Sequence, residues 1–507
     1  MAPTKSDLPL FSLAAPLLEN PLALLGYSVL VLAVGYVLYL RLVSPLAKIP
    51  GPFWASLSRL WITKHAWDGD MHRTVMKLHA QHGKLIRTGP NEVSVSDLTA
   101  IKTIYGAGTK FRKSDWYSVW QGRRKFDLFA ERDEGVHGRQ RKLVSNIYAM
   151  SSLKELEKWV DNAVEVFMRR IKDQGSRTVD LGKWLQIFAF DVIGEITFSK
   201  RFGFLDLGED DGSFKQIEGA LRSASWVGQV PWVYWLNDLL VPLIGNRLGI
   251  AARHGKIRQF AARELASRKD RGSDHRDMLA KLFEVRSEKG KEMSDDDVLS
   301  MATSNIFAGS DTTAISLRAI IYHLLKDPER KDKLMEEIED RRRAGQLSDP
   351  VKLSEANEMP YLQACMYEAL RLHPAVGMSL PRVVPKGGIT IDGRFLPEGT
   401  IIGANPWVIH RDTSVFGDEI EEFRPERWMR KEKGDMERFF FAFGAGARLC
   451  IGKNISWMEM SKVVPTLLSR FDVQLADPSA PLKETCWWFV KQEGLLVKLR
   501  PRRKSVN

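Results

Sequence analysis

The strongest hydrophobic signal in the chain is an apolar run at residues 21–40, which contains no charged residue. As a helix it would be about 30 Å long, the thickness of the hydrocarbon core of a bilayer. A cleaved signal peptide would have a shorter apolar core, a basic segment before it and a small-residue cleavage site after it. Arg41 and Lys48 instead follow the run. The pattern predicts an uncleaved transmembrane anchor, with residues 1–20 in the lumen and the rest of the chain in the cytosol.

Beyond this run the pattern changes to that of a globular protein built mainly from helices. Residues 41–52 end in Pro-Gly-Pro, a stiff connector because proline resists helical conformation. Residues 84–96 alternate as strand, turn and strand, whereas residues 151–290 read as consecutive helices. No Gly/Ser linker or repeat divides the interior. The sequence therefore predicts one large domain at residues 53–499, mainly α with small β-sheets, followed by a basic tail at residues 500–507.

Composition narrows the classes of partner. Three cysteines among 507 residues are too few for a disulfide framework and fit a reducing compartment. The net charge of +12 suits nucleic acid, an anionic membrane or an acidic protein. The basic residues are spread along the chain, without zinc-ligand spacing or an RNA-binding signature. The charge thus favours a membrane or an acidic partner over nucleic acid, and a plain solvated basic surface is the remaining alternative.

The segment with the most specific chemistry is FGAGARLCIG, residues Phe443–Gly452. Gly444 and Gly446 allow a tight turn that brings amide N–H groups close to Cys450. The residues that follow read as a helix, so Cys450 lies at a helix N-terminus, where free N–H groups favour a thiolate. Arg448 offers a fork of donors to a carboxylate. A thiolate with space for a planar group beside it suits a haem ligand; the alternative is a buried structural cysteine.

A second candidate site lies inside a long helix predicted from Ser294 to Lys326, which opens with a capping box and closes before a proline. At its centre are Gly309, Asp311 and Thr312, although glycine and threonine are poor helix formers. A threonine hydroxyl turned onto the carbonyl four residues back, or a water inserted between the hydrogen-bonded turns, bends a helix locally. We expect a groove beside Gly309, in which Thr312 hydrogen-bonds a diatomic ligand while Asp311 relays protons. The alternative is a helix irregularity without function.

Together these segments resemble the cytochrome P450 superfamily, whose haem-binding signature is similar to FGAGARLCIG and whose oxygen-activation motif is similar to AGSDTT at residues 308–313. The resemblance implies a P450 fold with one catalytic domain. It also implies haem b with Cys450 as the axial thiolate and iron ligand, O₂ as co-substrate, and Thr312 with Asp311 as catalytic residues. The residues of these two motifs that it assigns to the cofactor are Cys450, Arg448, Phe443, Gly444 and Gly309.

The resemblance also gives a role to an ExxR pair, Glu368 and Arg371, which alone would be surface decoration. Arg427, in the segment FRPERW, is similar to the third member of a family triad. The triad would be buried and would fix the chain that leads to the cysteine loop. We therefore assign these three residues a structural role.

Three further residues are expected to hold the haem propionates. Trp120 and Arg124 match the family's Trp-x-x-x-Arg pattern, but the glycine and basic residues between them make a poor buried helix. We therefore interpret this match as coincidental and assign the pair no role in propionate binding. His137 and Arg141 repeat the spacing on one helical face; the alternative is a pair of surface residues. Arg382 falls where the family places another propionate-binding arginine, and its alternative is an arginine at a strand edge.

The residues at the motif positions resemble those of microsomal, fungal monooxygenases of secondary metabolism or detoxification, of the pisatin-demethylase type. This implies insertion of one oxygen atom into a small lipophilic substrate, at the endoplasmic reticulum membrane. No flavin or nicotinamide fingerprint is present, so an NADPH–cytochrome P450 reductase would supply electrons, with cytochrome b5 as a second candidate donor. Two alternatives stay open: a haem-thiolate isomerase or dehydratase that does not use O₂, and a non-catalytic haem sensor. The Asp311-Thr312 pair argues against both.

Overall fold

The computed structural model describes residues 21–245, 250–290, 292–431 and 433–502. The predicted luminal segment at residues 1–20 and the end of the predicted tail lie outside the described residues. Within them, the apolar run forms helix α1 at Pro21–Leu38, which a π-helical turn extends to Val43. Its mean hydropathy is 2.1, and of the described helices it is the one long and apolar enough to cross a membrane. None of the residues of α1 is buried against the protein.

The connector after α1 is fastened to the globular part by Arg87, whose side chain is buried. Its Nη1 donates to the carbonyl oxygen of Leu40 at 2.8 Å, and its backbone N–H donates to the carbonyl oxygen of Pro50 at 2.7 Å. A Cβ atom at Gly51 would lie 2.4 Å from the carbonyl oxygen of Arg87, so only glycine fits there. Helix α1 therefore meets the domain at a fixed junction.

The remaining helices carry most of the domain. They are α2 (Phe53–Leu57), α3 (Leu60–Asp68), α4 (Met71–His82), α5 (Leu98–Tyr105), α6 (Ser118–Gln121), α7 (Glu134–Val144), α8 (Met150–Lys154), α9 (Glu157–Asp173), α10 (Leu181–Phe198), α11 (Phe204–Leu207), α12 (Ser213–Val227), α13 (Pro231–Ile244), α14 (Ile250–Arg271), α15 (Met278–Glu288), α16 (Asp295–Lys326), α17 (Pro328–Arg343), α18 (Leu353–Asn357), α19 (Pro360–Leu372), α20 (Pro406–Ile409), α21 (Thr413–Phe416), α22 (Lys433–Phe439) and α23 (Lys453–Arg470).

Among the described residues, the strands form four small sheets. They are β1 (Leu85–Gly89), β2 (Glu92–Val95), β3 (Thr178–Asp180), β4 (Arg382–Val383), β5 (Ile389–Ile391), β6 (Arg394–Leu396), β7 (Ile401–Gly403), β8 (Phe471–Leu475), β9 (Lys483–Trp487), β10 (Phe489–Glu493) and β11 (Leu496–Pro501). The largest sheet has the order β1-β2-β7-β4, with β2 and β7 parallel, and an antiparallel sheet has the order β3-β11-β8. The pairs β5–β6 and β9–β10 are hairpins. The predicted helical class with small sheets is confirmed, but β11 continues to Pro501, beyond the predicted start of the tail at residue 500.

The longest helix, α16, is held along its length by neighbouring helices. At its start Ser294 forms the predicted capping box, because its hydroxyl accepts from the N–H of Asp297 and that carboxylate accepts from the N–H of Ser294. Buried Arg318 donates to the carbonyl oxygen of Gly182, on α10, at 2.7 Å. One turn before Arg318, the hydroxyl of Thr313 lies 2.7 Å from that of Ser456, on α23. These contacts fix α16 against the helix that follows the cysteine loop.

The predicted buried triad is confirmed and is larger than expected. Both oxygens of Glu368 accept from Arg371 at 2.8 Å, and Oε1 also accepts from Arg427 at 2.9 Å. The indole of Trp428 and the backbone N–H of Arg424 donate to the same carboxylate. Burial alone would raise the pKa of Glu368, but the hydrogen bonds and the charges of the two triad arginines outweigh it and lower that pKa. Five N–H donors thus hold the one buried carboxylate of Glu368.

Candidate active site

The cysteine loop is shaped by its backbone. Gly444 and Gly446 have φ angles of 73° and 59°, in the left-handed region that favours glycine. A Cβ at Gly446 would lie 2.1 Å from the carbonyl oxygen of Tyr105, so the loop packs tightly on the end of α5. The N–H of Cys450 donates to the carbonyl oxygen of Phe443 at 2.9 Å. The predicted tight turn therefore exists and presents Cys450 at its end.

Cys450 is an exposed residue, whereas the other two cysteines are buried. Helix α23 begins three residues later than Cys450, at Lys453. The surrounding protein partly desolvates the thiol all the same, and this desolvation raises its pKa. The N–H groups of Gly452 and Lys453 and the charge of Arg141 offset part of the rise. The helix end alone therefore does not secure a thiolate, and a metal ion bonded to sulfur would supply the remaining stabilisation.

Part of α16 presents an open face in the middle of an otherwise buried helix. Ala308 is exposed there, and Gly309 and Thr312 are partly exposed. As predicted, the Thr312 hydroxyl donates to the carbonyl oxygen of Ala308, four residues back, at 2.7 Å. The structure gives Gly309 a packing reason as well, because a Cβ there would lie 2.8 Å from Cδ1 of Ile193 on α10. The groove beside Gly309 stays a prediction.

Asp311 turns away from that open face and is buried against α10. The side-chain N–H of Gln186 donates to its Oδ1 at 2.6 Å. Burial raises the pKa of Asp311, and the charges of Lys491 and Arg318 and the Gln186 hydrogen bond offset part of the rise. Asp311 borders a small cavity that Lys491 and Glu218 also line. A carboxyl group with a raised pKa beside such a cavity is suited to pass on a proton.

A cluster of basic side chains lies near the cysteine loop and includes all three predicted propionate partners. Charges of Arg448, Lys113, Arg141 and Arg382 all act on His137, and together with burial they lower its pKa to about 3. His137 is therefore neutral and can donate one N–H. Arg124, of the Trp120–Arg124 match that was set aside, has local partners instead. It pairs with Asp127 at 2.6 Å and donates to the carbonyl oxygen of Trp120.

Lys113 is a member of this cluster that the sequence analysis missed. Its Nζ donates to the carbonyl oxygen of Phe129 and lies 4.1 Å from the ring centroid of Tyr117. Burial and then the charges of Arg382 and Arg448 lower its pKa well below the usual value. The signal was present in the sequence, since buried Phe111 stands two residues earlier in an extended segment and so shares its face.

The cluster and the loop together fit a haem. Nη1 of Arg448 and Nε of Arg382 are buried and have no hydrogen-bond partner among the residues that the structure describes. Unpaired buried donors of this kind are costly unless an acceptor joins them. Two such N–H groups, an accessible thiol at Cys450 and an open helix face at Ala308 are what a flat metal complex with carboxylates requires.

His410 is a further residue that sequence reasoning missed, and it hydrogen-bonds the chain segment that leads into the cysteine loop. Its Nδ1 lies 3.0 Å from the carbonyl oxygen of Arg371, and its Nε2 accepts from the N–H of Phe441 at 2.7 Å. The ring can satisfy both contacts only as the neutral form with the proton on Nδ1. Burial lowers its pKa to about 3.

This environment predicts acid sensitivity. Folded His410 stays neutral while unfolded histidine takes up a proton near pH 6.5, so its contribution to stability falls as the pH drops from about 6.5 towards 3. Between pH 7 and about pH 5.5 the loss is about 1 kcal/mol. His410→Gln should therefore lose about 1 kcal/mol less than the unchanged chain in urea unfolding at these two pH values. The exposed His82→Gln is the matched control, and an equal pH dependence in both variants would contradict the assignment.

Comparison with known proteins agrees with this geometry. Residues 48–499 match the family model described as Cytochrome P450. Cytochrome P450 monooxygenase hepC of Aspergillus oryzae is 40% identical over 464 residues, covering 87% of this chain and 90% of that protein. Pisatin demethylase of Fusarium vanettenii is 37% identical over 495 residues, covering 95% and 93%. Cytochrome P450 monooxygenase gsfF of Penicillium aethiopicum is 36% identical over 508 residues, covering 97% and 99%.

Proposed function

The chain belongs to the cytochrome P450 family and is a P450 monooxygenase, and on this basis we propose that it is a membrane-anchored haem-thiolate enzyme that inserts one atom of O₂ into a small lipophilic substrate. The observation that carries the proposal is the accessible thiol of Cys450 beside two buried, unpaired arginine N–H groups. The haem, once bound, supplies the activation of oxygen. The protein supplies ligation, orientation and protons.

Each of these tasks has a residue. Cys450 would provide a sulfur ligand to the haem iron, and Phe443 and Gly444 form the turn that presents it. The propionates of haem b would be held by N–H groups of the basic cluster. These N–H groups belong to Arg448, Arg382, Arg141 and neutral His137, which lie close enough for the three arginine charges to act on the histidine. The hydroxyl of Thr312 stands on the open face of α16, where it can accept and donate a proton.

Protons would reach this face from the side of Asp311. Its raised pKa favours the protonated form, and its cavity is bordered by the paired side chains of Lys491 and Glu218, 2.8 Å apart. With its pKa raised, Asp311 takes up a proton more readily than an exposed carboxylate does and would pass it on to the reaction. Thr312, the next residue of α16, would pass that proton on at its hydroxyl oxygen.

Thr312→Ala is the experiment that tests the proposed chemistry. We expect the variant to keep its haem and its thiolate-type carbonyl adduct, while product formed per NADPH falls about tenfold or more and peroxide rises. Thr303→Ala is the matched control, because the Thr303 hydroxyl makes the same bond to the carbonyl four residues back, at 2.7 Å, elsewhere on α16. Normal coupling in Thr312→Ala would remove Thr312 from the mechanism.

The proposed location is the endoplasmic reticulum membrane, with a single span and the catalytic domain in the cytosol. Support comes from α1 and from large apolar side chains exposed on nearby helices, namely Trp54 (69% exposed) and Leu60 (71% exposed). The hydroxyl of Tyr36 on α1 donates to the carbonyl oxygen of Leu57, which places these helices beside the span. Retention in alkaline-washed microsomes and full protease sensitivity of the domain in sealed vesicles check this placement.

The proposed electron donor is an NADPH–cytochrome P450 reductase, with cytochrome b5 as a second donor. The net charge of +12 suits an acidic partner, so the apparent affinity for reductase should weaken as salt is raised. The substrate is proposed to be a lipophilic small molecule, hydroxylated or dealkylated in fungal secondary metabolism or detoxification. The name of the relative pisatin demethylase describes a dealkylation of this kind.

A further inference from the structure

One acidic side chain lies among the basic side chains beside the cysteine loop. Glu134, the first residue of α7, accepts from Nε and Nη2 of Arg448 at 3.0 Å and from Nη1 of Arg382 at 3.3 Å. The arginine side chains are 5% and 3% exposed, and that of Glu134 is 26% exposed. One carboxylate thus joins two arginines that are 66 residues apart in sequence and belong to different elements. Neither motif predicts this bridge.

The bridge occupies only part of each guanidinium group. Arg448 gives one edge of its fork, Nε and Nη2, to Glu134, and its Nη1 is left without a partner among the described residues. Arg382 gives Nη1 to Glu134 and leaves Nε unpaired in the same sense. A guanidinium group is planar and rigid, so fixing one edge fixes the direction of every other N–H. The two unpaired donors are therefore held in place by the carboxylate.

Charge gives Glu134 a second effect. Arg382 and Arg448 lower the pKa of buried Lys113, whereas Glu134 raises it, so the field of this carboxylate reaches across the basic cluster. Its position in the first turn of α7 also suits an anion, since the N-terminal end of a helix carries partial positive charge. Without Glu134 the cluster would be more positive by one charge. A more positive surrounding favours the reduced over the oxidised form of a nearby iron.

We propose that Glu134 is a positioning residue that clamps Arg448 and Arg382 so that their remaining N–H groups receive the haem carboxylates, and that it stays in this position when haem is bound. The proposal rests on the proposed function, because it needs a haem in the site. It differs from a placeholder role, in which Glu134 would fill the site only until haem carboxylates displaced it.

The test compares the haem-loaded full chain with Glu134→Gln, which keeps the size of the side chain and removes its charge. We expect haem transfer to excess apomyoglobin to be about tenfold faster and the reduction potential to shift to a more positive value. Glu134→Asp keeps the charge on a shorter side chain, so its potential should stay near that of the unchanged chain while haem transfer lies between the two. Asp115→Asn is the control, since Asp115 pairs with Arg132 in an exposed ion pair nearby, and it should change neither readout.

The outcomes separate the hypotheses. Unchanged haem transfer and potential in Glu134→Gln would overturn the clamp, and so would faster haem uptake with an unchanged potential, which is the result that a placeholder gives. If Glu134→Gln does not fold, Glu134→Asp decides the matter, because haem transfer equal to that of the unchanged chain contradicts the clamp. Failure of the unchanged chain to bind haem would refute the proposed function instead, and the two failures are therefore distinguishable.

Discussion

Cys450→Ala is expected to fold and to lose both thiolate-bound haem and monooxygenase activity completely. The loop keeps its shape without the sulfur, because backbone hydrogen bonds and two left-handed glycines form the turn. Little packing is lost, since Cys450 is exposed. Alanine at this position, in contrast, would offer neither a ligand nor a negative charge to the iron of the proposed haem.

The measurement is the absorption of the reduced carbonyl adduct, which reports whether sulfur is bound to iron. Cys365→Ala is the matched control, because Cys365 is buried and distant in sequence from the loop. That control should keep the thiolate-type spectrum even where packing loss lowers its stability. A thiolate-type spectrum in Cys450→Ala would show that another cysteine binds the iron. A circular dichroism spectrum like that of the unchanged chain separates loss of ligation from loss of fold.

Glu368→Gln should lower the free energy of unfolding by about 3–5 kcal/mol. The substitution leaves Arg371 and Arg427 buried without their anion, and an uncompensated buried charge is much more costly than the pair is favourable. Whole domains are stable by only about 5–15 kcal/mol, so the change removes a large share of the margin. We expect a low yield of haem-containing protein and a clear fall in the urea midpoint.

A surface pair with the same spacing provides the control for this prediction. Asp435 and Arg438 lie 3.0 Å apart on α22, and their side chains are 72% and 69% exposed. Because water and salt screen such a pair, Asp435→Asn should change stability by less than about 1 kcal/mol. Equal effects of the two substitutions would contradict a special role for the buried triad. The comparison thus isolates burial from spacing.

The parts of the site that could be predicted are those in which the chemistry is contiguous in sequence. The turn before Cys450, the capping box of Ser294 and the bond from Thr312 to Ala308 each involve residues within a few positions of one another. Local geometry is the same in any fold, so the sequence alone indicated these features. The family resemblance supplied the long-range partner of Glu368, namely Arg427, and the structure confirms it.

The residues that were missed act across long distances in the chain. Glu134 meets Arg448 after 314 residues, and His410 meets the carbonyl oxygen of Arg371 across 39 residues. Nothing in the local sequence of either one indicates its partner, because a helix-starting glutamate and a lone histidine occur in many settings. Gly309 shows a different limit: its sequence context predicted a groove, whereas its missing side chain also allows contact with Ile193 on another helix. Glycine at this position suits both the predicted groove and the close packing on Ile193, and the sequence motif indicated only the groove.

The hydrogen bond from Arg87 to the end of the apolar helix has a consequence for how the protein would encounter lipophilic substrates in the proposed membrane. A connection free to rotate would let the domain take many tilts relative to the proposed membrane. With the carbonyl oxygen of Leu40 bound by a buried side chain of the domain, the range of tilts that the domain can take relative to α1 is narrowed. In the proposed membrane setting, compounds dissolved in the bilayer would then meet the domain from a narrow range of directions, so that lateral diffusion would govern their delivery.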